Sequence, residues 1–330
     1  MKRRMWAALV VVPMLVAACS SGGNKNPSPG GSTSGGVNQR GFRISVVTHG
    51  QASDPFWSVV ANGVKAAAQD EGVTADYNAP QTFDMVAMSQ LIDAAVASKP
   101  DGLIVSIPDA DALGPSIKKA VDAGIPVISI NSGSDVFRKL GVLAHVGQPE
   151  GRAGLAAGRR LARAGVRHAL CVNQQLGNQG LDARCDGLAR AMREVGGRSR
   201  VLGIDDQSPD TPHKIGAAVV EGGFDGVLAM NATGGLAAVE GVDSVRRSGR
   251  VQIGTFDLGP DVLAAVHDGK LRFAVDQQPY LQGYLPIVML ANRARYGLFP
   301  AQGDVVATGA HFVTRDTAEQ AIKLSERSIR

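Results

Sequence analysis

The globular part of the chain begins with a strand, a loop and a helix, and this unit constrains the fold more than any other stretch. The apolar run from Ile44 to Val47 predicts a short buried strand, and a polar loop follows it. Asp54 and Pro55 then suit the cap and the first turn of a helix. The helix carries apolar residues at helical spacing, namely Phe56, Val59, Val60, Val64, Ala67 and Ala68. The stretch therefore predicts the first half of a βαβ unit.

The same alternation continues and then repeats. In the first series we predict further strands at 73–77, 102–107 and 127–130, and helices at 83–97 and 113–123. In the second series we predict strands at 168–172, 201–204, 226–230, 251–256 and 271–275, and helices at 150–164, 181–195, 212–221, 236–248 and 279–296. Strands that alternate with helices in this way form parallel sheets covered on both faces. The predicted fold class is therefore α/β, with two Rossmann-like lobes, each a doubly wound parallel sheet.

One helix of the second series is rich in small residues. In the predicted helix at 150–164 they are Gly151, Ala153, Gly154, Ala157 and Gly158. We interpret this pattern as a face for close helix packing rather than as a phosphate-binding loop.

Polar side chains stand where several predicted strands end. The first series has Thr48, His49 and Asn131 at such positions, and the second has Asn173, Asn231, Asp257 and Gln277. In open α/β sheets, ligands bind beyond the carboxyl ends of the strands. Amides and carboxylates both make hydrogen bonds to hydroxyl groups, so a cleft lined by them suits a neutral polyol. The alternative for each residue alone is that it only forms a turn.

The start of the first helix offers an aromatic platform beside a carboxylate. Phe56 and Trp57 can cover the apolar C–H face of a polyhydroxylated molecule, and Asp54 can accept its hydroxyls. Aromatic residues make up only 5% of the chain, so an adjacent pair at such a loop is informative. The alternative is that both rings belong to the core and that Asp54 only caps the helix.

The first 41 residues predict a leader and a tether. Residues 1–19 combine a basic start, an apolar stretch too short to span a bilayer comfortably, and small residues before Cys19. This order resembles a bacterial lipobox, in which the cysteine is lipidated; an ordinary secretory signal is the alternative. Residues 20–41 are rich in Ser, Gly, Asn, Pro and Thr and have almost nothing to bury. We therefore expect an extracytoplasmic protein, anchored on the periplasmic side of the cell membrane through Cys19.

Two further cysteines could form a disulfide. Cys171 falls in a predicted strand and Cys185 in the helix after it. An exported protein meets oxidising conditions, so a bridge is permitted. The sequence does not say whether the two Cβ atoms come within reach, and both the bridged and the free state stay open.

Charge and motif content argue against nucleic-acid binding and catalysis. Without Lys2, Arg3 and Arg4 of the leader, 31 of the 34 basic residues remain against 30 acidic ones, which gives no support for a basic nucleic-acid footprint. The six histidines are scattered, and none is spaced like a metal pair. The chain has no P-loop, no nucleophile elbow and no dinucleotide-binding glycine motif after its first strand. We expect no enzyme activity, no metal and no cofactor.

Several short motifs, taken in order and spacing, resemble the periplasmic sugar-binding proteins of ABC importers, of the ribose-binding type. The matching stretches are 54–57, 123–128, 227–231, 256–257 and 268–271 followed by Gln277, and the likeness runs from Phe42 to about Val313. The resemblance implies the type I periplasmic binding fold, whose lobes are joined by three crossovers, here near Gly147, Gln277 and Gly309. The N-terminal lobe would then comprise 42–146 plus 278–308, and the C-terminal lobe 147–277 plus 309–330.

The resemblance also implies which residues bind the ligand. They are Asp54, Phe56, Trp57, Asn131, Ser132, Asp182, Arg184, Asn231, Asp257 and Gln277. Asn131 and Ser132 match a pair that is Asp-Arg in the ribose-binding pattern, so a charged pair is replaced by a neutral one. Asp182 falls near a position where that pattern has Arg, and Arg184 lies two residues away. These departures disfavour ribose and favour another small sugar or a sugar alcohol, such as a pentitol, a tetritol or an inositol.

The function implied is that of a monomeric solute-binding lipoprotein, which captures a small neutral sugar or polyol and delivers it to an ABC transporter permease. One alternative is that the same lobes present the ligand to a chemoreceptor or sensor kinase. A glycosidase-like enzyme using Asp54, Asp182 and Asp257 is a second alternative, which the neutral Asn and Gln neighbours disfavour. A transcription repressor of the lactose-repressor type shares these lobes. It needs an N-terminal helix-turn-helix, where this chain has a leader and a tether.

Overall fold

A computed structural model describes residues 41–50, 54–300 and 303–325 of the 330-residue chain. The predicted signal segment, the predicted lipidation site at Cys19 and nearly all of the predicted tether lie outside these residues. Within them, the strands form two six-stranded sheets, each with its own helices. No helix in the described ranges combines the length and the apolar character that crossing a membrane requires.

The first sheet and its helices form what we call the N-terminal lobe. Its strands are β1 Arg43–Val47, β2 Thr74–Asn78, β3 Gly102–Ser106, β4 Val127–Ile130, β5 Ala144–Gly147 and β11 Val305–Ala307. Their order is β11-β5-β4-β3-β1-β2, and every pair is parallel. The helices are α1 Pro55–Glu71, α2 Met85–Ala97, α3 Ala110–Asp122 and, from late in the chain, α9 Pro279–Tyr296. The inner strands β3 and β4 are buried throughout, as expected of a sheet covered on both faces.

The second sheet and its helices form the C-terminal lobe. Its strands are β6 His168–Asn173, β7 Arg198–Gly203, β8 Gly226–Ala229, β9 Gln252–Phe256, β10 Phe273–Asp276 and β12 His311–Val313. The helices are α4 Glu150–Arg163, α5 Gln179–Glu194, α6 Thr211–Gly222, α7 Ala232–Ser244, α8 Pro260–His267 and α10 Arg315–Ser325. The order β12-β10-β9-β8-β6-β7 repeats that of the first sheet. Only β12, paired antiparallel with β10, departs from the all-parallel prediction among the described strands.

The chain passes between the lobes three times. The crossing segments are 148–149 after β5, 277–278 after β10 and 308–310 between β11 and β12. The middle crossing carries α9 back to the N-terminal lobe, where it packs against α1. The predicted α/β fold with two doubly wound lobes and a hinge of three crossings is confirmed.

Each sheet has an apolar layer on both faces. In β1, Ile44 and Val46 join a cluster with α1 and α9, whereas Val47 joins a cluster with α2 and α3 on the opposite side. The C-terminal lobe likewise contains two clusters. This alternation holds the carboxyl ends of the strands in a fixed row, where a ligand site can be built.

In the α1–α9 and α4–α5 pairs, the helices approach so closely that glycine is required at the contact. A Cβ on Gly283 of α9 would lie 2.1 Å from the carbonyl oxygen of Val60 in α1. A Cβ on Gly154 of α4 would lie 2.1 Å from the carbonyl oxygen of Arg184 in α5. The small residues of α4 are therefore a close-packing face, as predicted, and this face fixes the backbone of Arg184.

Cys171 in β6 and Cys185 in α5 are joined by a disulfide. Both residues are buried. The bond ties α5 to the sheet at the residue next to Arg184. Of the two states that the sequence left open, the structure has the bridged one.

Candidate ligand-binding site

A cavity of about 60 Å³ lies between the lobes, at the carboxyl ends of their strands. Eight of the ten residues implied by the resemblance line it: Asp54, Phe56, Trp57, Asn131, Arg184, Asn231, Asp257 and Gln277. The rest of the lining consists of His49, Gln174, Gln175, Asn178, Leu181, Asp206 and Met230. A larger groove of about 1140 Å³ lies wholly on the C-terminal lobe and contains none of the predicted residues. The smaller cavity is the candidate ligand site because charged and amide side chains from both lobes converge there.

Helix α1 begins at the cavity wall, and its first residues supply part of the lining. Asp54 caps the helix, with Oδ1 accepting hydrogen bonds from the N–H groups of Phe56 (2.9 Å) and Trp57 (3.3 Å). The rings of Phe56 and Trp57 meet edge to face with centres 5.2 Å apart, and the ring of His49 lies 4.8 Å from Trp57. Trp57 is only 6% exposed and belongs to an apolar core cluster, whereas Phe56 is half-buried. The segment therefore caps the helix and packs in the core, and it also lines the cavity, whereas its role as a platform for a ligand stays a prediction.

Asn131 and Asp257 occupy equivalent positions in the two lobes. Asn131 follows β4 and Asp257 follows β9, which stand at the same place in the two sheet orders. Both have left-handed backbone conformations, with φ of 60° and 69°, which are uncommon outside glycine. Their N–H groups donate to the carbonyl oxygens of Val146 (3.2 Å) and Val275 (3.0 Å) on the neighbouring strands. The repeated geometry brings one polar side chain from each lobe to the cavity.

Arg184 is buried, and protein groups occupy most of its guanidinium. Nε and Nη2 donate to the two carboxylate oxygens of Glu150, and Nη2 also donates to Oε1 of Gln277 at 2.9 Å. Nη1 donates to the carbonyl oxygen of Met230 at 3.2 Å. The guanidinium carbon lies 4.3 Å from the centre of the Phe256 ring, in a cation–π contact. Four of the five N–H groups thus have partners, so Arg184 can offer at most one to a ligand.

Gln277 links Arg184 to Asp257 and to the hinge. Its Oε1 accepts from Arg184 and from Nε2 of Gln148, the latter at 3.2 Å, while its Nε2 donates to Oδ1 of Asp257. Nε2 of Gln148 also donates to Glu150 at 2.9 Å. All five side chains are buried. The amide orientation of Gln277 is therefore set by an acceptor on one side and donors on the other.

Burial raises the pKa of Asp257 to about 7. The charge of Arg184 and the hydrogen bond from Gln277 oppose this rise, whereas the charges of Asp54 and Glu150 add to it. Asp257 therefore changes its charge near neutral pH and can accept a ligand hydroxyl once it is ionised.

The pKa values of Asp54 and His49 are also shifted, the first upward and the second downward, and both shifts favour the neutral form. Burial raises the pKa of Asp54, the two helix N–H bonds oppose the rise, and the charge of Asp206 adds to it. Burial, and then the charge of Arg184, lower the pKa of His49 to about 3. The imidazole is therefore neutral, and its Nδ1 lies 2.8 Å from Oγ of Ser106.

Asn231 and Asp206 act as a pair at the C-terminal side of the cavity. Oδ1 of Asn231 accepts from the N–H of Gly234 and caps α7, while its Nδ2 donates to Oδ2 of Asp206 at 2.7 Å. Asp206 lies in the loop after β7 and was not predicted from the sequence. Its proximity to Asn231 depends on how β7 and β8 flank β6, so no local pattern could have identified it.

Two residues implied by the resemblance do not line the cavity. Asp182 is half-buried at the start of α5, where its Oδ1 accepts from Nδ2 of Asn173 at 2.9 Å. Ser132 is buried, and its Oγ donates to Oδ1 of Asn131 (3.2 Å) and to Oδ1 of Asn178 (3.4 Å). Each makes protein contacts beside the site instead.

The lobes are held together next to the cavity by their own hydrogen bonds. The N–H of Gln179 donates to the carbonyl oxygen of Pro108 at 2.8 Å. Asn178 contacts Nε2 of His49 at 3.4 Å and accepts from Ser132 at 3.4 Å. We call these contacts the lobe latch. They show that the lobes are closed around the cavity.

A second cavity of about 220 Å³ lies on the hinge side and shares Phe56, Asp257 and Gln277 with the first. The two cavities together mark the cleft between the lobes. Across the described ranges, no group of three His, Cys, Asp or Glu side chains is arranged to hold a metal ion.

Comparison with known proteins identifies similar chains. The family profile described as "Periplasmic binding protein domain" matches residues 44–297. A solved carbohydrate transporter from Acidothermus cellulolyticus 11B, in complex with myo-inositol, is 35% identical with a TM-score of 0.82, covering 88% of this chain and 99% of that one. The xylose/arabinose-binding protein of Sulfolobus acidocaldarius is 25% identical over 91% of this chain and 78% of its own length. The ribose import binding protein of Bacillus subtilis is 25% identical over 86% of this chain and 91% of its own length.

Proposed function

Because the chain belongs to the family of periplasmic binding protein domains, we propose that it captures a monosaccharide or a sugar alcohol between its lobes and delivers it to an ABC importer. Members of this family bind solutes and are not enzymes, and they work outside the cytoplasm. The glycosidase-like alternative is therefore set aside.

The observation that carries the proposal is the polar lining contributed by both lobes. Asp54 and Asn131 reach the cavity from the N-terminal lobe, and Asn231 and Asp257 from the C-terminal lobe. These groups can accept from and donate to several hydroxyls, while Phe56 offers an apolar ring face. A ligand that contacts both lobes stabilises the closed state by its differential affinity for it.

The relatives narrow the choice of ligand to test first. The neighbour with the myo-inositol complex is 35% identical, whereas the xylose/arabinose-binding and ribose import binding relatives are each 25% identical. Asn131 and Ser132 also stand where the ribose-binding pattern has a charged pair. We therefore rank the candidate ligands with myo-inositol and related cyclitols first, followed by xylose and arabinose, and with ribose last.

A thermal-shift screen followed by calorimetry tests the proposal. A ligand at about 100 times its Kd raises the free energy of unfolding by about 2.7 kcal/mol, so a true ligand produces a clear rise in Tm. Phe56→Ala should remove that rise. Phe42→Ala is the matched control, because Phe42 is equally half-buried but precedes β1, at the opposite end of the strand from the cavity. A screen of cyclitols, pentoses, hexoses and alditols without any rise would overturn the proposal.

Transport and sensing use the same binding step, so a separate experiment is needed to decide whether the bound ligand is imported or sensed. Cells lacking the protein should lose uptake of the labelled ligand and regain it when the gene is returned. Unchanged uptake, together with a lost chemotactic or kinase response, would favour presentation to a chemoreceptor or sensor kinase.

We also propose that the protein is a monomeric lipoprotein held at the membrane by Cys19. The support is the order of basic start, apolar run, small residues and cysteine within residues 1–19. Acylation at a single cysteine with several chains adds about 0.8 kcal/mol per buried CH₂, enough for stable anchoring. Cys19→Ser should move the protein from the membrane to the soluble fraction. Retention of that variant on membranes would rule out the anchor, and size-exclusion chromatography tests the monomer.

A further inference from the structure

The cavity carries more negative than positive charge. Asp54 reaches it from the N-terminal lobe, and Asp206 and Asp257 reach it from the C-terminal lobe. Arg184 is the only Lys or Arg side chain in the described lining, and His49 is neutral. A preference for hydroxyl groups alone does not need this imbalance, since amides also bind hydroxyls.

The one cation of the described lining has at most one N–H left for an acidic ligand. Nε and Nη2 of Arg184 form a bidentate ion pair with Glu150, and Nη1 donates to the carbonyl oxygen of Met230. An incoming carboxylate or phosphate would have to break this buried ion pair to obtain the same geometry. Removing one partner of such a pair leaves a buried charge uncompensated, which is strongly unfavourable.

The carboxylates of the two lobes also act on one another across the cavity. The charge of Asp206 raises the pKa of Asp54, and the charge of Asp54 raises the pKa of Asp257. Like charges that approach on closure oppose it, and a positive charge between them would relieve the repulsion. The two lobes therefore close most favourably around a ligand that brings positive charge with it.

We infer that the cavity binds a polyol carrying a protonated amino group, an aminocyclitol or an amino sugar, more tightly than the uncharged parent, and excludes sugars bearing a carboxylate or a phosphate. The inference rests on the proposed function, because it concerns the same cavity. An ammonium group supplies three N–H donors where a hydroxyl supplies one, and its charge attracts Asp54, Asp206 and Asp257 together.

Calorimetry on the mature protein with matched ligand series tests the inference. One series is myo-inositol, a panel of amino-deoxy-inositols with the amine at different ring carbons, and inositol monophosphate. The other is glucose, glucosamine and glucuronate. In the series that binds, we expect the best amino compound to bind about tenfold more tightly than its parent, and the anion at least about a hundredfold more weakly.

The outcomes separate this inference from the function it rests on. If a neutral polyol binds but no amino compound exceeds it, or if the anion binds as well as the parent, the charge preference is wrong and the solute-binding function stands. If an amino compound binds and its parent does not, the inference is supported in its strongest form. If no member of either series binds, this inference falls, whereas the solute-binding function is decided by the pentoses and alditols of the wider screen.

A charge-removing variant checks the cause of the preference. Asp206→Asn keeps an oxygen for Asn231 while it removes one negative charge, and it should reduce the ratio of amine to parent affinity about fivefold. Asp205→Asn is the matched control, because Asp205 is exposed and is not part of the lining. An unchanged ratio in Asp206→Asn, with a Tm equal to that of the control, would overturn the inference.

Discussion

Nε2 of Gln148 lies 3.2 Å from Oε1 of Gln277, and these two glutamines follow equivalent strands, β5 and β10, in the two lobes. Each stands at the start of a crossing between the lobes, and both are buried. Gln277 also bonds to Arg184 and Asp257, which line the cavity. The hinge and the lining of the cavity therefore share one hydrogen-bond network.

Replacing Gln277 by Ala should weaken both the fold and the site. The change leaves Arg184 and Asp257 each short of a buried partner, and an unsatisfied buried group costs about 1–3 kcal/mol. We expect the free energy of unfolding to fall by about 2–4 kcal/mol and ligand affinity to fall at least about tenfold. Gln252→Ala is the control, because Gln252 pairs with Arg272 at an exposed position away from the cavity. We measure the free energy of unfolding by chemical denaturation and ligand affinity by calorimetry. Equal values for the two variants would contradict the prediction.

Ligand affinity should rise with pH up to about pH 7. The cause is Asp257, whose pKa is about 7 in the closed protein and whose ionised form accepts a ligand hydroxyl. The charged groups that face it are Arg184, Asp54 and Glu150. Below pH 7 we expect affinity to fall by at most about a factor of ten per pH unit, which is the limit for a single titrating group. In Asp257→Asn, calorimetry should show weaker binding with a much flatter pH profile; an unchanged slope would exclude Asp257 as the titrating group.

The same carboxyl should make stability change in the opposite direction with pH. Its pKa in the folded protein lies above the value of about 3.9 for an unfolded Asp. The folded state therefore holds the proton more tightly, and this contribution to stability is present below about pH 4 and lost as pH rises to about 7. The difference in the free energy of unfolding between the parent protein and Asp257→Asn should change across this window. A constant difference from pH 4 to pH 7 would refute the assignment.

Ser132→Ala and Asn178→Ala should speed ligand release. Each removes part of the lobe latch, and one hydrogen bond contributes about 0.5–1.5 kcal/mol net, or about a two- to tenfold increase in the dissociation rate. The association rate should change little, because differences of this kind fall mainly on dissociation. Ser89→Ala is the control: its Oγ bonds to Ser116 within the N-terminal lobe. Stopped-flow rates equal to that control would show that the latch does not hold the closed state.

Removing the disulfide should lower the free energy of unfolding by about 3 kcal/mol, the chain-entropy effect expected for a loop of this length. Cys171 and Cys185 are 14 residues apart in sequence. The comparison is best made with Cys171→Ala/Cys185→Ala in a Cys19→Ser background, where reductant should lower the Tm of the bridged protein alone. Equal melting temperatures with and without the bridge would contradict the prediction.

The alternation of strands and helices could be predicted well because buried parallel strands and amphipathic helices have strong periodic signals. The strand at 127–130 and the helix at 279–296 begin and end where the sequence placed them. Helix α8 was missed because it is only eight residues long. Strands β11 and β12 have three residues each, too few for a pattern, and the antiparallel direction of β12 depends on the last crossing.

The site could be predicted only where local sequence and strand ends coincide. Asp54 and its two aromatic neighbours sit at a recognisable helix start, and Asp257 directly follows a strand. Asn178 and Asp206 lie in loops of the C-terminal lobe. These loops approach the N-terminal lobe only when the two lobes close, and the spacing of apolar residues in the sequence carries no information about that closure. Ser132 adjoins a lining residue in sequence, but its hydroxyl is taken by the amide oxygens of its neighbours.

The three crossings have a consequence for how the protein is made. Helix α9 and strand β11 belong to the N-terminal lobe, yet the ribosome produces them after β10, when nearly the whole C-terminal sheet has been synthesised. Until then α1 lacks the helix it packs against, and β5 lacks its outer neighbour. A nascent chain therefore cannot complete its first lobe early. The N-terminal lobe therefore stays incomplete, with its sheet edge and one face of α1 uncovered, until most of the polypeptide has been made.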